Sequence, residues 1–229
     1  MKNKLRSIIF SLYVIIVSPL CGIIFLPTLV SRRASLWAAK RWAWAVVLGA
    51  KYIMGITHNI NGKEYIPQGP AVVASKHQSA WETIVFFIML PKASFVIKKS
   101  LLYLPIIGLY MWRLRLIYLD RSKGVSSIKK LITQCKARLE EGHQVVIFPE
   151  GTRSNYGDKP NYKPGIFAIY KKLNSEIVPV ALDSGLYWPR NSYFGKTPGS
   201  INVRFNKPIQ PGLENIKFME NLYNIIEYN

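Results

Sequence analysis

Two kinds of hydrophobic pattern divide the chain. Between Arg6 and Arg32 no residue is charged, and positions 8–30 are dominated by Ile, Leu, Val and Phe. That run is long enough to cross a hydrocarbon core of about 30 Å. Pro19 and Pro27 lie inside it, and proline kinks or breaks a helix, so a re-entrant or half-inserted hairpin fits at least as well as a single span. Residues 34–56 then mix Trp37, Trp42 and Trp44 with Lys40, Arg41 and Lys51, the composition of a helix lying at headgroup level. Residues 1–56 are therefore expected to form a membrane-anchoring helical hairpin held to one leaflet.

From residue 57 the pattern becomes an alternation of short apolar runs and longer helical periods. Residues 71–75, 95–97, 116–119, 145–148, 177–182 and 201–205 have the length and β-branched content of strands. Helical periodicity falls at 79–89, 122–141 and 165–173, and again at 214–227. This order predicts an α/β fold for residues 57–229, a mixed sheet flanked by helices. Reactive groups in such sheets gather beyond the carboxyl ends of strands, which directs attention to the turns after Ser75, Leu119 and Phe148.

Composition narrows the class of partner. The chain has 229 residues, one domain plus an attachment, and a formal net charge of +19, so an anionic partner is expected. Charge alone fits nucleic acid, a phospholipid surface or an acidic carrier protein. The crowding of apolar residues at the N-terminus selects the membrane, and nucleic acid is not expected. Lys2, Lys4 and Arg6 precede the apolar run and Arg32, Arg33, Lys40 and Arg41 follow it. The positive-inside bias thus favours neither orientation and allows both ends on the cytoplasmic side. A cleaved secretory signal would carry a shorter apolar region ending in small residues, whereas Ser31 leads straight into Arg32 and Arg33. Cys21 and Cys135 are the only cysteines, which indicates neither a disulfide framework nor a cysteine metal site.

The first turn reads Ser75-Lys76-His77-Gln78-Ser79-Ala80-Trp81-Glu82-Thr83. Histidine accepts a proton near neutral pH, and a carboxylate on its other ring nitrogen fixes the tautomer and stabilises the imidazolium. His77 and Glu82 supply that pair. Five residues along a regular helix rotate by about 140°, so the two meet only if His77 precedes the helix. Ser79 to Glu82 fits a capping box that would start the helix after His77. The same box is also the plain alternative, with Glu82 capping Ser79 and His77 structural.

The third turn switches abruptly from Val145-Val146-Ile147-Phe148 to Pro149-Glu150-Gly151-Thr152-Arg153-Ser154. Arg153 can grip a phosphate through two parallel N–H bonds, Gly151 allows close backbone approach, and Thr152 and Ser154 add hydroxyl donors. Glu150 repels phosphate, so it is expected to accept from a hydroxyl or to orient Arg153. An ordinary Glu150–Arg153 ion pair is the bland reading.

Taken in order, His77 to Glu82, Lys98-Lys99 with Gly108 to Arg121, Phe148 to Ser154 and Val178-Pro179-Val180 resemble the four motif blocks of the 1-acylglycerol-3-phosphate acyltransferases, within the glycerolipid acyltransferase superfamily. The resemblance covers residues 71–182. Two departures stand out: Glu82 where the family usually has Asp, and Ser100 where it often has Glu.

The resemblance implies transfer of a fatty acyl group from a thioester, acyl-CoA or acyl carrier protein, to the 2-hydroxyl of lysophosphatidic acid. It gives His77 the role of base, with Glu82 steadying it and no covalent acyl-enzyme. Arg121 and Arg153, with Lys99 as a weaker candidate, would hold the phosphate, while Glu150, Gly151 and Thr152 belong to the acceptor site. No cofactor or metal is implied beyond the donor itself. Trp81, Phe86, Phe87, Leu101 and Leu102 are candidates for an acyl tunnel, though such residues more often form plain core. Another lysolipid acceptor, or a non-enzymatic basic protein bound to membrane, remains open from sequence.

Overall fold

A computed structural model describes residues 2–119, 124–190 and 192–227. The N-terminal apolar run forms α1 (Lys2–Ile24), and Pro27 sits in the 3-10 turn Leu26–Val30 that ends it. Pro19 lies inside α1 without terminating it. Ser31 accepts a hydrogen bond from the amide of Ala34 at 3.1 Å and so caps α2 (Arg32–Gly49), which continues through a π turn, Ala50–Met54, to a left-handed Gly55.

Seven strands follow among the described residues. They are β1 (Ile56–Asn61), β2 (Ala71–Ser75), β3 (Ala93–Lys98), β4 (Ile117–Leu119), β5 (Gln144–Ile147), β6 (Ile177–Leu182) and β7 (Gly199–Phe205). The helices between and after them are α3 (Trp81–Met89), α4 (Ile107–Arg113), α5 (Gly124–Glu140), α6 (Gly165–Leu173), α7 (Ser184–Tyr187) and α8 (Asn215–Glu227). The strands make one sheet in the order β1-β7-β6-β2-β5-β3-β4. All pairings are parallel except β6 with β7, so the sheet is mixed, as the sequence predicts.

Strand β2 sits at the centre and all five of its residues are buried. Its side chains alternate between two cores, as the two-residue period of a strand requires. Val73 joins Trp81, Phe86 and Val180 on the face covered by α1–α3, while Val72 and Ala74 join Leu131, Ile169 and Phe218 under α5, α6 and α8. A strand buried on both faces reads as a continuous apolar run, and Ala71–Ser75 and Ile177–Leu182 are such runs.

The N-terminal helices share the first of these cores. Phe10, Val46 and Met54 are fully buried in it, so the boundary at residue 56 marks the start of β1 rather than a gap in packing. Polar contacts hold α1 along its length. Ser7 and Ser11 donate to the carbonyl of Tyr193, each at 2.9 Å, Tyr13 donates to the carbonyl of Ala45 at 2.9 Å, and Trp42 donates to Ser18 at 3.0 Å. Trp42 is therefore turned inward, unlike Trp37 and Trp44, which stay exposed. The opposite side of α1 presents Leu5, Ile9, Leu12, Ile16, Leu20 and Ile23 to the outside, an i, i+3/i+4 stripe whose apolar face points away from the protein. Helix α1 is apolar and long enough to cross a membrane.

Candidate active site

Because β2 and β5 are adjacent and parallel, with Ala74 beside Ile147, the turns that leave them converge at one edge of the sheet. His77 and Phe148 meet there with rings stacked, 3.9 Å between centroids and 15° between planes.

His77 precedes α3 and folds back on it. Its Nδ1 lies 2.8 Å from Oε1 of Glu82. The same oxygen accepts from the amides of Gln78 at 2.8 Å and Ser79 at 2.6 Å, while Ser79 Oγ accepts from the amide of Trp81 at 3.1 Å. The Ser79–Glu82 bond is one half of the expected capping box, but Ser79 Oγ takes the amide of Trp81 rather than that of Glu82, and α3 starts at Trp81 with Ala80, not Ser79, as its N-cap. The second Glu82 oxygen accepts from the hydroxyl of Ser184 at 2.8 Å. Glu82 is 0 % exposed, so one buried carboxylate both starts the helix and grips the imidazole. A carboxylate at Nδ1 selects the Nδ1–H tautomer and leaves Nε2 with its lone pair.

The loop after β5 clamps the backbone of His77 from the other side. Glu150 Oε1 accepts from the amide of His77 at 2.7 Å, and the amide of Ser154 donates to the His77 carbonyl at 2.8 Å. Glu150 thus orients the histidine loop and makes no ion pair with Arg153. Its second oxygen is buried without a hydrogen-bonding partner among the described residues. Burial pushes the Glu150 carboxyl up to about 7, partly offset by the nearby Ser154 hydroxyl and the His77 amide. Gly151 takes a left-handed φ of 72° and closes the turn onto Phe148 at 3.0 Å. A Cβ there would meet the Lys163 side chain at 3.2 Å.

Lys76, one residue before His77, is buried in an ion pair with Glu227 at the end of α8, with side chains 9 % and 4 % exposed. Glu227 also accepts from Tyr162 at 2.8 Å. The last helix of the chain therefore braces the histidine loop.

His77, Glu150, Gly151, Thr152 and Arg153 all line one cavity of about 930 Å³. Its remaining wall is largely apolar, from α1–α5, β3 and the 3-10 turn Lys99–Tyr103, and includes Trp42, Phe87, Leu101 and Met111. Of the other tunnel candidates, Trp81 and Phe86 are buried core residues and, with Leu102, lie outside the lining. Lys98, not Lys99, faces the cavity, and Lys99 is exposed. Arg121 lies outside the described residues. Two cations that the motifs do not reveal, Lys163 and Arg190, join the lining, and the Arg190 guanidinium donates to the carbonyl of Arg153. Among the described residues, no three His, Cys, Asp or Glu side chains are grouped to hold a metal ion.

A histidine fixed by a buried carboxylate and several cationic side chains thus share the wall of one largely apolar cavity. The chain belongs to the acyltransferase family, whose model matches residues 57–183. It is 34 % identical over 177 residues to the 1-acyl-sn-glycerol-3-phosphate acyltransferase of Pseudomonas aeruginosa, spanning 77 % of this chain and 68 % of that one. It is 30 % identical over 168 residues to 1-acyl-sn-glycerol-3-phosphate acyltransferase alpha of Mus musculus, spanning 72 % and 59 % respectively. In fold it matches the crystal structure of the 1-acyl-sn-glycerophosphate acyltransferase from Thermotoga maritima, with a TM-score of 0.80 at 19 % identity over 99 % of this chain and 95 % of that one.

Proposed function

We propose that the protein acylates the 2-hydroxyl of 1-acyl-glycerol-3-phosphate with a fatty acyl thioester, giving phosphatidic acid. The observation that carries this reading is the placing of His77, held by Glu82, in the wall of the same cavity as Arg153 and a long apolar lining. His77 Nε2 takes the hydroxyl proton as the oxygen attacks the thioester carbonyl. The tetrahedral intermediate collapses with loss of thiolate, which receives the proton back from His77. Glu82 stabilises the imidazolium between the two transfers. Arg153, with Arg190, Lys98 and Lys163 adding positive charge, binds the acceptor phosphate and sets the hydroxyl against His77. Arg121 is a further candidate for that phosphate. The donor, acyl-CoA or acyl carrier protein, brings its own activated carbonyl, so the residues need no resident cofactor.

The packing of α1 supports attachment to one leaflet rather than a span. One side of the helix is tied to the domain from Ser7 to Ser18 while the other is an apolar stripe, so it lies along the domain with its free face in lipid. With both ends of the apolar run on one side of the bilayer, the basic residues at each end, Lys2, Lys4 and Arg6 and then Arg32 and Arg33, favour the cytoplasmic side.

A panel of acceptors tests the proposal. Detergent-purified protein with acyl-CoA or acyl carrier protein should acylate lysophosphatidic acid and leave monoacylglycerol, which lacks phosphate, unreacted. Equal use of the two would show that the cations do not select the acceptor and would defeat the reading.

A further inference from the structure

The apolar surface does not end at α1. Residues 99–113 expose six large apolar side chains, Leu101, Tyr103, Leu104, Ile107, Leu109 and Trp112, with Tyr103 76 % and Trp112 70 % exposed. Single exposed apolar residues are ordinary on a protein surface, but a cluster of this kind marks an interaction site.

Three contacts join the segment to α1 and the turn after it. Tyr110 donates to the carbonyl of Gly22 at 3.3 Å, the Arg113 guanidinium donates to the carbonyl of Val30, and a Cβ on Gly22 would lie 2.6 Å from Ile106 Cγ2. The exposed stripe of α1 and the exposed cluster of 99–113 are therefore neighbours along one seam.

The cavity reaches the surface at that seam. Leu101 and Ile107 line the cavity and are themselves exposed, and Gly22 and Ile106 line it from either side. The backbone is strained there to achieve this. Ile106 has φ 61° and ψ −57°, and Ile107 N bonds Pro105 O at 2.5 Å, closing a γ-turn. A β-branched residue in that conformation costs on the order of 1–3 kcal/mol. The turn directs Ile106 toward Gly22 and the cavity.

Charge identifies the occupant. No acidic residue lies between Ala93 and Leu119, where Lys98, Lys99, Arg113 and Arg115 are found, and none precedes Glu64 in the chain. In space one carboxylate, Glu141, reaches this border, where Arg32, Arg115 and Arg138 all pair with it, so the exposed aromatic and aliphatic side chains keep a cationic rim that fits the interface of an anionic bilayer.

We propose that residues 99–113 are a second bilayer-inserting element which, with α1, frames a sideways opening from the cavity into the acyl layer of an anionic leaflet. This inference rests on the one-leaflet attachment argued above. Through the opening the acceptor's chain enters the cavity between Gly22 and Ile107 without leaving lipid, while its phosphate stays at the cationic end beside His77.

The test uses full-length protein on a Cys21→Ser/Cys135→Ala background, carrying one environment-sensitive fluorophore at Leu109→Cys or at Ile16→Cys. Vesicles of phosphatidylglycerol and phosphatidylethanolamine carry spin labels either on the headgroup or along the acyl chain. Both probes should shift to the blue and be quenched more strongly by the acyl-chain label. A probe at 109 that stays in water while the probe at 16 inserts would overturn the second element and leave the α1 anchor standing. Failure of both would overturn the membrane attachment itself.

The opening has its own readout. Leu109→Asp/Trp112→Asp alters residues outside the cavity lining. It should raise KM about tenfold for long-chain acceptor presented in vesicles, and leave turnover of a short-chain, water-dispersed acceptor unchanged. An unchanged ratio between the two acceptors would overturn the sideways opening.

Discussion

Replacing Glu82 by Gln isolates its charge from its hydrogen bonds. Oε1 receives the amides of Gln78 and Ser79 as well as His77 Nδ1, so two fixed backbone donors require an oxygen there. The Gln side chain must place its carbonyl at that position and turn its NH₂ toward Ser184, whose hydroxyl can rotate to accept. Every bond survives and the histidine tautomer is retained. What is lost is the difference between a charge-assisted bond to imidazolium, about 1.5–3 kcal/mol, and a neutral one, about 0.5–1.5 kcal/mol. A net loss of about 1–2 kcal/mol corresponds to roughly 5–30-fold in kcat, with KM and thermal midpoint nearly unchanged. Glu82→Ala instead leaves two buried amides without an acceptor, at about 1–3 kcal/mol each. A total near 3 kcal/mol would lower the midpoint by about 6–12 °C in a domain of this size. Steady-state kinetics and thermal unfolding of the same preparations separate the two effects. Full activity of Glu82→Gln would show that the charge does no work, and a loss near 10⁴-fold would mean the tautomer is not pinned as the geometry requires.

Glu150 gives a pH signature. Its carboxyl is raised from 4.5 to about 7 chiefly by burial, so the native state binds more protons than the unfolded state between those values and stability falls as pH rises through that window. Glu150→Gln keeps an acceptor for the His77 amide without the buried charge. Its thermal midpoint should exceed wild type at pH 8 and approach it at pH 5, and a gain that is constant with pH would contradict this. Removing one partner of the buried Lys76–Glu227 pair leaves the other uncompensated, at about 3–5 kcal/mol. Urea unfolding of Lys76→Met, Glu227→Gln and the double variant should show the double recovering most of the loss; simple additivity would deny the coupling. Arg153→Gln should raise KM for the phosphorylated acceptor at least tenfold with a smaller change in kcat, and an unaltered KM would remove Arg153 from the phosphate site.

Legibility in the sequence followed burial. Strands β2 and β6 are buried on both faces, so their continuous apolar runs give their limits directly. Strand β1, Ile-Thr-His-Asn-Ile-Asn, is half exposed and largely polar, and apolar runs do not find it. Helices α4 and α7 have seven and four residues, too few for a period to register.

In the site, the short spacing of Ser79 and Glu82 reveals their hydrogen bond, and with it the position of His77 before the helix, although Ala80 rather than Ser79 is the N-cap. Ser184 and Glu227 reach this loop from 102 and 151 residues away, brought there by the β2–β6 pairing and the return of α8. No local pattern announces such partners. Lys98, the last residue of β3, lines the cavity, whereas Lys99 starts the 3-10 turn Lys99–Tyr103 and lies outside the lining, a change of element that the Lys-Lys pair alone does not reveal.

The central claim is that His77 is the base of an acyl transfer to lysophosphatidic acid. Purified protein supplied with lysophosphatidic acid and both donors, acyl-CoA and acyl carrier protein, should form phosphatidic acid with at least one of them. His77→Ala, folded and bound to the same vesicles, should lose on the order of 10²–10⁴-fold in rate. Absence of product from wild type with either donor, or a His77→Ala rate equal to wild type, would contradict the account.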